Sequence, residues 1–309
     1  MSGRFVSCIK EASPTAFRTI WWLAKLMVGV SFVIFILQYV GVIGWLSRWL
    51  TPVFGYIGLP GEASLAFVTG YFVNCYSAIA VITTLDLSRR SITILAVMVL
   101  CAHNMVVETS VQNKTGSSVL RIVCIRTLSA FFLAFVLNLI MPEDTSRVSA
   151  SAANTDDVGF VTLLSDWAVK TLKNIILMVV LVYLLTVLQR ILSEFGVIAK
   201  IAGMLGPVMR FFGLPPRTAF LWLVANTLGL AYGSAVMIDE AECGNTTKED
   251  NDLLNHHISV SHSNLEDLTL FAAAGGYFFW MLLSRWCMSL LLVWERRLEK
   301  KVNTLTPSS

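Results

Sequence analysis

The sequence predicts an all-α integral membrane protein built from two inverted-topology repeats, each with three spans plus a re-entrant or broken-helix hairpin. Its composition, its long uncharged runs and a repeated residue pattern support this fold class. Hydrophobic residues make up 56% of the 309 residues, charged residues only 14%, and the mean hydropathy is +0.70. Soluble domains carry about 25% charged residues, so the composition argues against a soluble enzyme. Several uncharged runs approach the roughly 20 residues that cross a bilayer as a helix.

A residue pattern recurs between the two halves of the chain. Residues 49–60 (WLTPVFGYIGLP) and 204–215 (MLGPVMRFFGLP) share six of twelve positions. Farther along, four further matches occur at one constant spacing: His103 with His262, Glu108 with Asp267, Gly116 with Gly275, and Arg126 with Arg285. Such self-similarity indicates one structural unit used twice.

Each predicted repeat has the same order of elements. In order, we predict first spans at 19–43 and 167–190, connections ending in Gly-Leu-Pro, second spans at 62–85 and 217–238, short pieces holding His103 or His262, and last spans at 118–141 and 274–294. The short pieces cannot cross alone, so re-entrant or broken helices suit them. The expected domains are repeats at 1–142 and 166–296, an extracytoplasmic linker at 143–165 and a basic cytoplasmic tail at 297–309.

Lysine and arginine predict how the chain crosses a bacterial inner membrane. Basic residues cluster near both ends, so both termini are expected in the cytoplasm. Residues 143–157 contain one basic and four acidic residues, which places this linker outside. The acidic insertion at 239–252 is also expected outside, and the turn at Arg89 and Arg90 inside. An odd number of crossings per half would invert the second half, as in many secondary transporters.

Polar residues in and near the short pieces are the candidate functional groups, because ionisable side chains inside a membrane are costly. The expected substrate or ion path comprises Asn74, Ser77, His103, Asn104, Glu108, His262, Asn264, Glu266 and Asp267. Imidazole and carboxylate groups suit first-row divalent metals, and a Cys75 thiolate would add a soft ligand. The candidate metal ligands are therefore His103, Glu108, His262, Glu266, Asp267 and Cys75. Helix spacing places His262 and Glu266 on one face. Capping of helix ends is the competing interpretation.

Two arginines lie within the predicted last spans. A buried arginine needs a partner, so we expect Arg126 to pair with Glu108 and Arg285 with Asp267 as structural ion pairs. The competing interpretation is that these arginines bind an anion. No nucleic-acid-binding stripe of basic residues is present in the sequence.

The segment GYFVNCYSAIAVITTLDLSRRSITILAVMVLCAHNMVVE and the later SHSNLEDLTLF resemble the nucleoside-recognition, or Gate, superfamily. Cys75 is kept from the family's pattern, whereas the proline that follows it there is absent. Glu108-Thr109 is similar to the glutamate hairpin motif of concentrative nucleoside carriers. The resemblance extends to the membrane core of the ferrous-iron transporter FeoB and implies an inverted-repeat transport fold.

These observations favour a transporter over an enzyme, with no cofactor and with a divalent metal such as ferrous iron as the first candidate substrate. Two alternatives stay open. One is ion-coupled transport of nucleosides or another small organic solute, and the other is a membrane assembly factor that transports nothing. The expected partners are the lipid bilayer and the small solute or ion. A homo-oligomer is compatible with the sequence.

Overall fold

The computed structural model describes residues 2–144, 160–242, 244 and 246–305, and it confirms the all-α prediction for them. The first half contains α1 (Ser2–Tyr39), α2 (Val42–Tyr56), α3 (Ala63–Phe72), α4 (Cys75–Ile82), α5 (Arg89–Ala102), α6 (Met105–Lys114) and α7 (Val119–Ile140). The second half contains α8 (Phe160–Glu194), α9 (Val197–Met204), α10 (Gly206–Phe211), a 3-10 turn (Pro216–Thr218), α11 (Ala219–Glu242), α12 (Lys248–Ser261), α13 (Asp267–Ala273) and α14 (Phe278–Leu305). Most of the linker predicted at 143–165 lies outside the described residues.

Within the described residues, three helical stretches are long and apolar enough to cross a membrane: Val119–Ile140, Phe160–Leu192 and Phe278–Asn303. A fourth candidate is the α5–α6 pair, which is bent by 41° at the break between the two helices. A bend of this size lets α6 continue away from α5 instead of returning beside it. The pair is therefore a candidate for one broken span.

The predicted second spans at 62–85 and 217–238 are wrong, because both segments fold back on themselves. A Cβ atom added to Gly70 in α3 would lie 3.1 Å from Cβ of Ala78 in α4. Likewise, α11 breaks at Gly229, and a Cβ atom added to Gly233 would lie 3.2 Å from Cγ1 of Val224. The hairpins are therefore α3–α4 (the first hairpin) and the two parts of α11 (the second hairpin).

Helices α1 and α8 pack along each other in opposite directions. Near the start of α1, Ser13 Oγ lies 3.1 Å from the hydroxyl of Tyr183 in α8. Near its end, Tyr39 packs edge-on against Phe160 with ring centroids 5.0 Å apart. Because the start of one helix meets the end of the other, this pair is antiparallel.

One end of the bundle, the tail end, is defined by contacts of the last turns of α14. Arg296 Nε lies 2.7 Å from Asp252 Oδ2 near the start of α12. Arg121 in α7 lies 2.6 Å from Glu299. The acidic insertion thus ends beside the basic C-terminal helix, so its predicted placement on the opposite side from the tail is wrong. The prediction failed because it treated acidic residues as a sign of the outer side, whereas Asp252 forms an ion pair with the basic C-terminal helix.

The other end, the linker end, is defined by Asp144, which accepts a 2.6 Å hydrogen bond from the hydroxyl of Tyr277. Arg89 Nε donates to the Gly275 carbonyl at 3.1 Å, and Arg90 donates to Asn138 Oδ1 at 2.7 Å. The start of α5 therefore lies on the linker side, opposite to the tail. The predicted placement of the Arg89–Arg90 turn beside the tail is wrong because both guanidinium groups bind acceptors within the bundle.

The broken pair α5–α6 runs from the linker end to the tail end. At the tail end, Ser117 after α6 donates a 3.0 Å hydrogen bond to Asp252 near the start of α12. Helix α12 runs back from there toward the break at His262, and α13 continues to Gly275 at the linker end. Two interrupted helical paths thus pass each other in opposite directions, with both breaks in the interior.

Candidate cation site at the two helix breaks

Each helix break is held by the tip of a hairpin. Asn104 and Ser263 have positive φ angles of 46° and 55°, a left-handed conformation that ends one helix and redirects the chain. The Asn104 amide donates to the Gly70 carbonyl, and the Ser263 amide donates to the Ala225 carbonyl, both at 3.0 Å. Non-helical backbone inside a bundle needs such partners because no water is available there. The hairpins therefore stabilise the breaks.

The breaks bring His103 and His262 together with their Nε2 atoms facing each other. Nδ1 of His103 lies 3.1 Å from the Val99 carbonyl, and Nδ1 of His262 lies 2.7 Å from the Ile258 carbonyl. A carbonyl oxygen only accepts, so each Nδ1 must carry the ring proton. In the neutral ring, Nε2 then presents a lone pair, which is the usual arrangement of a metal-binding histidine.

Two carboxylates complete the cluster around these imidazoles. The Nε2 atoms of His103 and His262 are 3.3 Å apart. Glu108 lies 3.1 Å from His103 Nε2 through Oε1 and 3.2 Å from His262 Nε2 through Oε2. Asp267 Oδ2 lies 3.3 Å from His103 Nε2. None of these four residues is more than 9% exposed, so the cluster lies inside protein.

Arg126 forms the expected ion pair with Glu108. Its Nη2 atom lies 2.7 Å from Glu108 Oε2 and 2.6 Å from the His103 carbonyl, and its Nε atom donates to the Cys101 carbonyl at 2.9 Å. The guanidinium group thus neutralises a buried carboxylate and ties up carbonyls at the end of α5. These contacts agree with the structural interpretation, although the buried Nη1 atom of Arg126 has no hydrogen-bond partner among the described residues.

The expected pair of Arg285 with Asp267 is wrong. Arg285 donates to the carbonyls of Val260 and His262 at 2.6 and 2.5 Å, repeating the backbone contacts of Arg126. Its Nη1 atom reaches Asn264 Oδ1 at 3.2 Å. Asp267, whose side chain is one methylene group shorter than that of the matching Glu108, lies against His103 instead. The second carboxylate therefore faces the imidazoles without an arginine bound to it.

The other predicted path residues lie around the cluster in different roles. Asn74 caps α4 by accepting from the Ser77 amide at 2.9 Å, which is the capping interpretation. The carboxylate of Glu266 accepts a 2.5 Å hydrogen bond from Tyr76. The predicted common helix face of His262 and Glu266 is wrong because α12 ends at Ser261.

Two residues of the polar stretches in the hairpins, Tyr76 and Asn226, were not among the predicted path residues but contact them. Tyr76 binds Glu266, and Asn226 accepts from Asn264 at 2.5 Å. Their positions offered a usable signal, since Tyr76 directly follows Cys75 and Asn226 lies three residues before the break at Gly229. His257 was not among the candidate residues of the sequence, yet it is buried in α12, where it contacts Trp222, Ser261 and Ser289.

The cluster has the ligands and spacing of a divalent-cation site. Two groups of three residues each offer ligand atoms within 4.8 Å of one another: Cys75, His103 and Asp267 form one, and His103, Glu108 and His262 the other. Ligands about 2.0–2.2 Å from a metal lie about 2.8–3.6 Å apart in octahedral or tetrahedral geometry. The separations of 3.1–3.3 Å between the imidazole and carboxylate atoms agree with that range.

Comparisons with known proteins agree with the membrane character of the chain. A family profile described as Gate, nucleoside recognition, matches residues 20–135. The chain is 32% identical over 264 residues to the uncharacterized membrane protein YvoD of Bacillus subtilis strain 168, and the match covers 84% of each chain. No solved structure matches the chain significantly.

Proposed function

The chain belongs to the Gate family of multi-pass membrane proteins, and from that premise we propose that it transports a divalent metal ion such as ferrous iron by alternating access. The observation that carries this proposal is the facing pair of histidine Nε2 atoms beside Glu108. Two Nε2 atoms and a carboxylate oxygen 3.2–3.3 Å apart need a positive charge among them, which either a proton on one ring or a bound cation supplies. A bound cation supplies it to all three atoms at once.

The two halves are proposed to be inverted repeats about an axis in the membrane plane, passing between His103 and His262. Three relations support the inversion: the antiparallel α1–α8 pair, the opposite directions of α5–α6 and α12–α13, and the repeated arginine contacts at the helix ends. Each half would cross three times, through α1, α5–α6 and α7 or through α8, α12–α13 and α14. The repeats at 1–142 and 166–296 are those of the sequence prediction.

The tail end is proposed to face the cytoplasm. Lys200, Arg210 and Arg217 join the basic residues of the tail at 297–309 on this side, which satisfies the positive-inside tendency. Both termini would then be cytoplasmic, and the linker at 143–165 would be extracytoplasmic. The site would lie near the middle of the bilayer, where transporters of this architecture bind their substrates.

A small organic solute is the second candidate, because the family profile is named for nucleoside recognition. The cluster favours an ion, however. His103 Nε2 lies 3.1–3.3 Å from Glu108, Asp267 and His262, a spacing that suits an ion and leaves no gap for a ring. A nucleoside would require the two broken helices to separate.

Uptake into proteoliposomes tests the proposal. Purified protein should carry Fe²⁺, Mn²⁺ or Zn²⁺ into sealed vesicles, whereas a panel of nucleosides should stay outside. The variant His262→Ala should lower metal uptake to the level of empty vesicles, since it removes an imidazole from the cluster. His257→Gln is the matched control, because it changes a buried histidine of the same helix that does not contact the cluster, and it should retain uptake.

Two results would contradict the metal proposal. Nucleoside uptake with inert metals would establish the organic-solute alternative. The absence of any uptake would favour a non-transporting assembly factor. This result requires that the protein is monodisperse, and that an ionophore is needed to release metal across the vesicle membrane.

A further inference from the structure

The two candidate ligand groups share a single residue, His103. One group adds Cys75 and Asp267 to it, and the other adds Glu108 and His262. Nδ1 of His103 is bound to the Val99 carbonyl, so only Nε2 is available to a metal. One lone pair binds one ion, so the two groups cannot both use His103 at the same time.

The two groups lie on opposite sides of the histidine pair along the bundle. Asp267 begins α13, which leads from the break to the linker end. Glu108 lies in the first turn of α6, which leads from the other break to the tail end. Cys75 starts the second arm of the hairpin whose open end lies near the linker end. The thiol-containing group therefore faces the linker end, and the two-histidine group faces the tail end.

The thiol also breaks the correspondence between the halves. At the spacing that relates Gly58 to Gly213, the counterpart of Cys75 is Leu230, which is buried and cannot bind a metal. A soft ligand is thus present in one hairpin tip and absent from the other. The two ends of the path therefore differ in chemistry. An ion that enters from the linker end would meet the position with the thiolate first and the position with two imidazoles and a carboxylate second.

We propose that one metal ion occupies these two positions in turn, and that His103 stays bound to the ion as it passes between them. This inference rests on the proposed function and adds an order of events to it. At the linker-side position the ligands are Cys75, His103 and Asp267; at the tail-side position they are His103, Glu108 and His262. Binding at the linker-side position releases the thiol proton to the surroundings, as metal binding to cysteine does. When the ion moves to the tail-side position, the thiolate takes up a proton from the linker side, so a full cycle leaves the protonation state of Cys75 unchanged.

Cobalt binding to the purified full chain, without oxygen, tests the shared ligand. Co²⁺ bound by a thiolate gives a charge-transfer absorption band that oxygen and nitrogen ligands do not give. The wild-type protein should bind one Co²⁺ per chain. His262→Ala should bind one Co²⁺ with a stronger thiolate band, because the ion is confined to the linker-side position. Cys75→Ser should also bind one Co²⁺, but with the thiolate band lost.

The outcomes separate this inference from the proposed function. Two Co²⁺ per wild-type chain would overturn the shared-ligand relay while leaving metal transport intact. So would one Co²⁺ per chain with no thiolate band in either the wild type or His262→Ala. No Co²⁺ binding by the wild type or by His262→Ala would instead contradict the metal site itself. Cys75→Ser is also the control for other thiols, since any band that remained in it would come from another cysteine, such as the exposed Cys124 or Cys287.

Discussion

Replacing Arg126 with Met is expected to destabilise the protein by about 3–5 kcal/mol, the usual cost of removing one partner of a buried ion pair. The substitution leaves Glu108 charged, buried and without its guanidinium partner, and it also frees the carbonyls of Cys101 and His103. The free energy of unfolding in mixed micelles, followed by tryptophan fluorescence, measures the effect.

Two comparison variants make the reason for this loss testable. Arg126→Met combined with Glu108→Gln should recover part of the stability, because the uncompensated charge is gone. Arg285→Met should cost less than Arg126→Met, since Arg285 binds carbonyls and Asn264 and no carboxylate. If Arg126→Met unfolds like the wild type and loses only uptake, Arg126 acts on the substrate and the structural interpretation is wrong.

Replacing His103 with Ala is expected to weaken metal binding by about 100-fold or more, because changes to groups that merely support a ligand already cost 10–100-fold. The loss should exceed that of any other single variant, since His103 is the one residue present in both ligand groups. Isothermal titration of the purified chain with Mn²⁺ or Co²⁺ measures it. His262→Ala should keep measurable affinity through Cys75 and Asp267.

The matched control for this measurement is His257→Gln, whose ring contacts Trp222, Ser261 and Ser289 and not the cluster. It should bind metal with wild-type affinity. If both His103→Ala and the control bound metal with wild-type affinity, the ion would bind elsewhere.

Sequence patterns predicted the helical class and the convergence of the two halves, but assigned one pair of elements incorrectly. The run around Gly70 was interpreted as a span because it lacks charge. In the structure it lacks charge because it packs against Ala78 and Val99 inside the bundle. Helix α12 misled in the opposite sense. Its polar Asn255 and His257 are fully buried, because neighbouring helices supply their hydrogen-bond partners.

The residues of the candidate site could be predicted where the same residue types recur at a constant spacing in the two halves of the chain. Their contacts with other residues could be predicted less well. His103, His262, Glu108 and Asp267 could be chosen from spacing alone, and the structure brings all four together. The partner of Arg285 could not be chosen in this way. The length of the side chains and the position of the helix break decide which carboxylate an arginine reaches. The spacing of residues along the sequence gives neither.

The central claim is that two interrupted helices, one from each half, supply one imidazole each to a single ion. Cobalt-edge X-ray absorption of the Cys75→Ser variant, loaded with one Co²⁺ per chain, tests it most directly. We predict two imidazole nitrogens and carboxylate oxygen at about 2.0–2.2 Å, with one imidazole lost on adding either His103→Ala or His262→Ala. A spectrum without imidazole, or one that neither substitution changes, would contradict the claim.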